Sequence, residues 1–463
     1  MGTVERSSNS IPVQIDLGDG TSSGQSGRLG DDVSAAETRT IRLHTARAQL
    51  EHLFPPVSFP MRLAYGEVPP GWREIEVWRV IPSRRSPRFL VPVEPSAAAR
   101  LVLSHNGLRT RREAATRRLA ALAMRPLALS TGRHNLLRLS APADVSDHDI
   151  DDAVITRHLR RRLPEATSTA ISLRAFHPRA KPTVQLLDDR GRVVAFAKVA
   201  SDPATGERVL TEADLMETLG ADLDTEDSPI RLPRVLDTGR CGPFAYSVVE
   251  PLPVDARRVG DDDEPLVLRA LATFGGGPSV PSRMPLAQTA LWDEVMARSL
   301  AARTARSAAQ ELVTALARLT ATAHRTDAAL LVPVGRYHGD WTPWNMGESK
   351  GVIWAWDLEY GSPQGPLGLD ALRWTFQIHH AMNGSTFTEG VAAMTAAAPR
   401  VLPPLGVPLT LTTPLVRFHV IETVSTALGL LASGRGLPSG LDDAIEVMRS
   451  LEAPHVPPAQ RRP

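Results

Sequence analysis

Two neighbouring segments of the chain carry the residue types and spacing that phosphate chemistry needs. Asp340 precedes the amide side chain of Asn345 by five positions, and a second carboxylate, Asp357, follows Asp340 by seventeen positions at the end of an apolar run. Phosphoryl transfer from a nucleotide requires one group that orients the attacking hydroxyl, together with an amide and a carboxylate that hold magnesium on the phosphates. The spacing therefore predicts a phosphoryl-transfer centre.

Each segment alone has a simpler interpretation. His338-Gly339-Asp340 is also typical of a tight turn in which the aspartate caps the next segment, and Asp357 also stands where a strand would end. The order and spacing of both segments together, with Gly368 and Asp370 following, favour the phosphoryl-transfer interpretation.

The same segments resemble the catalytic and metal-binding loops of the aminoglycoside phosphotransferase and choline kinase families, relatives of the protein kinases with HGDxxxxN in place of HRDxxxxN. The resemblance implies that Asp340 accepts or orients the proton of the acceptor hydroxyl, and that Asn345 and Asp357 bind magnesium. It also implies that His338 braces the loop, with Asp370 as its partner. The nucleotide would be ATP or GTP.

The resemblance says less about the acceptor. Asp357-Leu358-Glu359-Tyr360 is similar to the choline kinase form of the metal loop, which implies that Glu359 or a nearby aromatic such as Trp341 faces a cationic amino alcohol. Five of the eight tryptophans fall in this part of the chain, and an aromatic wall also suits a sugar. Tryptophans here are as typical of a core, so aminoglycosides, sugars and amino alcohols all stay open as acceptors.

A predicted meander of three strands within 169–199 carries Lys198 on its third strand. The chain has only three lysines, at 181, 198 and 350, among 52 basic residues, and a compact ammonium binds phosphate oxygens differently from a planar guanidinium. In the family, a lysine on this strand contacts the phosphates and pairs with a glutamate on the next helix, which implies Glu212 as the partner and Glu217 as the second choice. A surface lysine on an edge strand is the simpler alternative.

Two further sites bear on nucleotide binding. The loop 177–182 between the first two predicted strands contains no glycine and departs from a glycine-rich phosphate loop. Lys181 in this loop either supplies positive charge to the phosphates or is a solvated residue, and both interpretations weigh equally. After the last predicted strand, the junction at Glu250 resembles the hinge where main-chain groups bind the adenine edge.

Composition limits the classes of protein that this chain can be. It has 463 residues, 42% hydrophobic and 22% charged, with a formal net charge of +1 that argues against a dominant polyanionic partner. An arginine-rich stretch, Arg100–Arg138, is interpreted as a solvated helix face, so no specific nucleic acid is expected. The single cysteine, Cys241, favours a reducing, cytoplasmic setting. Polar residues interrupt the apolar segment Val416–Leu431, which predicts a buried helix and no membrane span.

Periodicity and resemblance together predict an α+β, kinase-like two-lobed fold. Its parts are a small antiparallel-sheet N-lobe, a mostly helical C-lobe and an N-terminal accessory region. The predicted divisions are a disordered tail (1–40), an accessory domain of unknown role (41–165), the N-lobe (166–250), the C-lobe with the catalytic and metal loops (251–453) and a second tail (454–463).

The sequence therefore predicts a magnesium-dependent enzyme that moves the terminal phosphoryl of ATP or GTP to a hydroxyl of a small molecule. The alternative is a non-catalytic pseudokinase that binds a nucleotide or a partner, and the glycine-free loop is its best support. A protein kinase is disfavoured because the chain has His-Gly-Asp and lacks Asp-Phe-Gly and Ala-Pro-Glu segments. Residues alone leave the oligomeric state undetermined.

Overall fold

A computed structural model of the chain describes residues 11–17, 43, 46–94, 135–173, 182–276, 282–304, 309–432, 441 and 443–452. Lys181, the second tail (454–463) and most of the arginine-rich stretch Arg100–Arg138 lie outside these ranges. The described strands and helices belong to two compact units, Met1–Glu217 with Pro233–Pro253, and Thr218–Leu232 with Val254–Pro463.

Seventeen strands are described, and the first unit contains ten of them in one sheet. The strands are β1 Gln14–Asp16, β2 Arg62–Tyr65, β3 Trp72–Ser83, β4 Ser86–Pro92, β5 Leu136–Pro142, β6 Ser168–Ser172, β7 Thr183–Leu187, β8 Val193–Ala200, β9 Ile230–Arg231, β10 Val235–Cys241, β11 Phe244–Val249, β12 Arg257–Arg258, β13 Ser282–Pro285, β14 Leu331–Tyr337, β15 Met346–Ser349, β16 Val352–Ala355 and β17 Ser362–Pro366. The order in the large sheet is β1-β2-β5-β3-β4-β6-β7-β8-β11-β10.

Helices make up most of the second unit. The named helices of the described chain are α1 Asp147–Ala153, α2 Ile155–Arg162, α3 Pro203–Leu223, α4 Glu264–Gly275, α5 Ala290–Thr304, α6 Gln310–Thr326, α7 Leu369–Gln377, α8 Phe387–Val401, α9 Thr412–Ala432 and α10 Ala444–Leu451. A largely antiparallel sheet followed by a mostly helical unit confirms the predicted α+β class with an N-terminal sheet and a C-terminal helical part.

The accessory region and the predicted N-lobe share one sheet. Strand β4 pairs antiparallel with β6, with Phe89 opposite Ser172 and Leu90 opposite Ile171. One cluster of buried apolar side chains extends through the whole unit, from Leu17 to Val248. The division predicted at 165/166 therefore falls inside a continuous sheet and core.

Part of the predicted disordered tail is also in this sheet. Gln14–Asp16 forms β1, which pairs in parallel with β2, and Leu17 is buried. The apolar residues Ile11, Val13, Ile15 and Leu17 alternate with other residues, which is the period of a strand, but the run is too short to stand out among the polar residues around it. The expectation of disorder was wrong for these residues.

Helix α2 connects the accessory strands to the strands beyond them in the same unit. Thr156 donates a hydrogen bond of 2.7 Å to the buried carboxylate of Glu76 on β3. Six positions later, Arg162 donates two hydrogen bonds, of 2.9 and 3.0 Å, to Asp237 on β10. Polar groups on one short helix thus bind β3 in the accessory part of the sheet and β10 at the edge of the sheet.

In the second unit, two small sheets lie among the helices, in the orders β12-β15-β16-β9 and β13-β14-β17. One described segment, Leu409–Ala432, is long and apolar enough to cross a membrane, but 67% of its apolar 18-residue stretch is buried inside the protein. Arg417 of this segment is fully buried and donates to Asp327 at 2.7 Å. This burial is typical of a core helix, as predicted for α9.

Candidate functional site

A tight hairpin brings Asn345 and Asp357 close together. The register of β15 and β16 pairs Met346 with Ala355, and the N–H of Trp356 donates to the carbonyl of Asn345 at 3.0 Å. Asn345 therefore leads into the hairpin at the end where Asp357 leaves it. Asp357 follows Asp340 by seventeen positions, but a two-strand hairpin removes most of that separation.

The turn of this hairpin explains one of the three lysines. Lys350 and Gly351 both have positive φ, of 54° and 82°, and stand between paired Ser349 and Val352. Two consecutive left-handed residues form the turn whose twist matches a two-residue hairpin. Lys350 is thus a turn residue and does not belong to the predicted site.

Asn345 holds Asp340 directly. The Asn345 Nδ2 group donates to the Asp340 carboxylate at 2.7 Å and to the Asp340 main-chain oxygen at 3.1 Å. Asn345 is 5% exposed, whereas Asp340 keeps a partly exposed surface. The two residues that the sequence placed five positions apart therefore form one hydrogen-bonded unit with an accessible carboxylate.

Burial raises the pKa of Asp340 to about 6. The positive charge of Arg373 and the hydrogen bond from Asn345 lower this pKa, while the negative charges of Asp357 and Glu359 raise it. At neutral pH the carboxyl is mostly ionised, so it can accept a proton. Its coupling to Asp357 also places two carboxylates within electrostatic reach of each other.

His338 and Asp370 meet, but through the main chain of the loop. The Asp370 carboxylate accepts hydrogen bonds from the N–H groups of His338 at 2.8 Å and Gly339 at 3.2 Å. The His338 ring instead donates from Nε2 to the Trp356 carbonyl at 3.1 Å and accepts at Nδ1 from the Asp340 N–H at 3.3 Å. These partners fix a neutral imidazole that ties the loop before Asp340 to the segment before Asp357.

Asp370 is itself in an unusual environment. It lies in the first turn of α7 and is 5% exposed, and burial raises its pKa to about 7. The charge of Arg373 and the two main-chain hydrogen bonds lower this pKa. Asp370 accepts one main-chain N–H on each of its two carboxylate oxygens, so it fixes the position of the loop at His338 and Gly339.

Two residues of the site have a left-handed backbone. Gly339 has φ of 81°, and a Cβ added there would overlap the main chain and Cβ of Tyr360, so only glycine fits. Asp357 has φ of 70° and is not a glycine; Lys350 is the other non-glycine residue with positive φ in the described chain. Such conformations cost about 1 to 3 kcal/mol and persist only where the surroundings enforce them.

Arg373 was not predicted from the sequence. It lies one turn after Asp370 on α7 and donates to the Tyr337 hydroxyl at 2.9 Å and to Glu422 on α9. Its side chain is 12% exposed, and its charge acts on both Asp340 and Asp370. The one available signal was the spacing of Asp370 and Arg373, which places them on the same helix face.

In the first unit, Lys198 and Glu212 form the predicted pair. Lys198 Nζ on β8 donates to both oxygens of Glu212 on α3, at 2.6 and 2.9 Å. Glu212 is 3% exposed, and the Lys198 side chain is 26% exposed. Glu217, the second choice, is exposed.

The predicted hinge residue has a defined partner. The Glu250 N–H donates to the Arg234 carbonyl at 3.0 Å, and the Arg234 N–H donates back to the Glu250 carboxylate at 3.0 Å. Pro251 and Pro253 have no N–H. Among the three residues that follow Glu250, Leu252 is therefore the one with a main-chain N–H. Lys181 lies outside the described residues, so its predicted role stays a prediction.

The two predicted acceptor residues, Trp341 and Glu359, differ in their exposure to solvent. Trp341 is fully buried and its ring packs against Phe274 and His338, with centroids 5.9 and 5.4 Å apart, so the expectation that it faces an acceptor was wrong. Core packing decided its position, as the simpler interpretation had it. Glu359 is partly exposed and close enough to raise the pKa of Asp340.

The exposed aromatic residues of this segment are others. Trp344 and Tyr360 are each 44% exposed, while Trp374 is buried. Trp344 directly precedes Asn345, and the main chain of Tyr360 packs on Gly339. Trp344 and Tyr360 therefore supply exposed aromatic surface close in sequence to the site residues.

The donor set suits a hard cation shared with a ligand. The described residues contain no group of three or more His, Cys, Asp or Glu side chains that could hold a metal ion by themselves. Magnesium bound with a nucleotide uses one or two protein oxygens and takes the rest from phosphates and water. Asn345 and Asp357, adjacent at the hairpin and beside a second carboxylate, fit that smaller requirement.

Comparison with known proteins gives structural likeness alone. No protein-family model and no curated protein matches the chain. Among solved structures it is similar to amicoumacin kinase in complex with AMP-PNP, Ca²⁺ and Ami, with 11% identity, a TM-score of 0.40, and coverage of 66% of this chain and 95% of that one.

The chain is also similar to two further solved structures, at comparable identity. An aminoglycoside phosphotransferase, a thermostable mutant in apo form, has 12% identity and a TM-score of 0.43 over 64% of this chain and 98% of its own. A choline/ethanolamine kinase family protein from Mesorhizobium loti has 12% identity and a TM-score of 0.38 over 60% and 86%. These are structures of the families that the sequence motifs resemble. Likeness at this level of identity concerns the fold alone.

Proposed function

We propose that the protein is a phosphotransferase that moves the terminal phosphoryl of ATP or GTP to a hydroxyl of a small molecule, with magnesium. The observation that supports this most is the hydrogen-bonded pair of Asp340 and Asn345 beside Asp357. A turn in which Asp340 only caps the next segment would not require a second carboxylate, Asp357, close enough to raise the pKa of Asp340. Aminoglycosides, sugars and amino alcohols are the candidate acceptors, and a cytoplasmic location belongs to the same proposal.

In this proposal Asp340 receives the proton of the acceptor hydroxyl. The hydroxyl oxygen forms a bond to the terminal phosphorus as the bridging oxygen of the nucleotide leaves with its electron pair, and the proton passes to the Asp340 carboxylate. A pKa of about 6 keeps this group ionised at neutral pH and still basic enough to take a proton. The Asn345 amide orients the carboxylate toward its task.

Lys198 and Glu212 would serve the nucleotide. The Lys198 ammonium, on a side chain that is 26% exposed, suits contact with phosphate oxygens, and Glu212 fixes its direction. Leu252 N–H and the Glu250 carbonyl suit the adenine edge. Asn345 and Asp357 would hold magnesium, which neutralises phosphate charge when bound.

Thermal stabilisation tests the nucleotide and metal part of this proposal. We expect ATP or GTP to raise the melting temperature of the wild type in a magnesium-dependent way, and Asp357→Ala to lose the magnesium-dependent part. Asp261→Ala, which removes an exposed aspartate of the same unit, is the matched control. No shift with either nucleotide in folded protein would contradict the proposal.

The alternative is a non-catalytic pseudokinase that binds a nucleotide or a partner. The glycine-free loop 177–182 favours it. Magnesium-dependent stabilisation without any phosphoryl transfer, from wild type that is saturated with nucleotide, would support this alternative.

A further inference from the structure

Tyr337, Arg373 and Glu422 form a buried polar assembly behind the 338–345 loop. Arg373 donates to the Tyr337 hydroxyl at 2.9 Å and also to the Glu422 carboxylate. The Tyr337 residue is 2% exposed, and the Arg373 and Glu422 side chains are 12% and 10% exposed. A buried ion pair of this kind adds little to stability compared with apolar packing, so its presence here calls for another account.

The assembly joins three elements at the start of the loop. Tyr337 is the last residue of β14, and His338 follows it directly. Arg373 lies on α7 one turn after Asp370, whose carboxylate binds the N–H groups of His338 and Gly339. Glu422 lies on α9. Helix α7 therefore makes hydrogen bonds to this part of the chain at two successive places. Asp370 binds the main chain of the loop, and Arg373 binds the Tyr337 side chain just before it.

Arg373 is also the electrostatic partner of several acidic residues around the loop. Asp340, Asp370 and Glu422 are three carboxylates that all interact electrostatically with Arg373. The neighbouring His419 is buried, and both burial and the charge of Arg373 lower its pKa well below the usual value, so it stays neutral and adds no positive charge. Arg373 thus provides a positive charge that acts on all three acids.

We propose that Arg373 is a positioning residue for phosphoryl transfer: by binding Glu422 and the Tyr337 hydroxyl together, it fixes the end of β14 from which the Asp340 loop begins. This inference rests on the proposed function. Arg373 need not touch a substrate to act in this way. A displacement of about 1 Å at a reacting group costs on the order of 100-fold in rate, so a positioning residue has a kinetic signature.

The test compares Arg373→Lys with Arg417→Lys. Arg417 is a fully buried arginine of the same unit that donates to Asp327 and to the Leu451 carbonyl. The rate measured is nucleotide consumption, with an acceptor or with water as the acceptor. We expect Arg373→Lys to lower kcat at least about tenfold with the nucleotide KM within about twofold, and Arg417→Lys to leave kcat nearly unchanged. Equal kinetic effects of the two variants would overturn the proposal.

A second variant and a second readout keep the test independent of folding defects and of the proposed reaction. Tyr337→Phe removes only the hydroxyl that Arg373 binds, and it should lower kcat in the same direction by a smaller factor. Amide hydrogen exchange of the 338–340 segment should be faster in Arg373→Lys than in Arg417→Lys. Unchanged exchange there would overturn the positioning role, whereas absent nucleotide consumption in the wild type would overturn the proposed function instead.

Discussion

The two proposed nucleotide-binding regions are built in different ways. Lys198 and Glu212 are a side-chain pair between a strand and a helix, each with ordinary backbone geometry. Asp340 and Asp357 instead depend on main-chain hydrogen bonds to Asp370 and on left-handed residues at positions 339 and 357. The first region should therefore tolerate backbone change and respond to loss of charge, while the second should fail when its backbone is altered.

The largest expected effect is from Asp340→Asn, which keeps the side-chain shape and removes the proton acceptor. We expect the rate of phosphoryl transfer to fall about 1000-fold, because general base catalysis contributes about 100- to 10,000-fold. Nucleotide affinity should change little. Steady-state kinetics and nucleotide titration check both parts, and a variant that keeps transfer would contradict the role of Asp340.

Gly339→Ala should break the second region through its backbone. The added Cβ overlaps the Tyr360 main chain, so we expect a loss of about 3 kcal/mol in unfolding free energy, or more, together with activity. Gly384→Ala is the matched control, since Gly384 has φ of 75° with open space around its Cβ position. That control should cost about 1 kcal/mol. Equal costs in denaturant unfolding would show that overlap with Tyr360 is unimportant.

Lys198→Met should affect the first region through charge alone. We expect nucleotide affinity to fall about 10- to 100-fold, because hydrogen bonds to a charged group are worth about 1.5 to 3 kcal/mol. Glu212→Gln should weaken affinity less, and Glu217→Gln, which changes an exposed carboxylate of the same helix, should leave it unchanged. Calorimetric titration measures all three, and an effect of Glu217→Gln as large as that of Glu212→Gln would contradict the pairing.

The smallest expected effect is on pH dependence. Because burial raises the pKa of Asp340 to about 6, the ionised form predominates above that pH and is lost below it. The ratio kcat/KM reports the pKa of the free enzyme, so it should fall about tenfold per pH unit below about pH 6. Nucleotide affinity measured over the same range separates titration of the phosphates. A flat profile down to pH 5 would rule out Asp340 as the titrating base.

The sequence predicted those contacts whose residues lie in short recognisable motifs. Lys198 stands on a strand of alternating residues and Glu212 at the start of the next helix, and the structure brings them together. The contact between His338 and Asp370 was also expected, although it runs through the main chain. In each case the resemblance of short motifs named the partner before any packing was known.

Contacts that depend on packing were out of reach. Arg373 looks like any helical arginine until Glu422, 49 residues later, is placed beside it. Trp341 was assigned to the acceptor site because residue type alone does not distinguish a tryptophan that lines a binding site from one in the hydrophobic core. The pairing of β4 with β6 joins residues about 80 positions apart, which periodicity cannot reveal.

Transfer of a labelled terminal phosphoryl group from ATP and from GTP tests the central claim most directly. Wild type and Asp340→Asn are each incubated with magnesium and with pooled aminoglycosides, sugars or amino alcohols, and label in the acceptor fraction is measured. The account predicts label in at least one pool with wild type and a loss of about 1000-fold with Asp340→Asn. Equal labelling by both proteins, or none by wild type saturated with nucleotide, would contradict it.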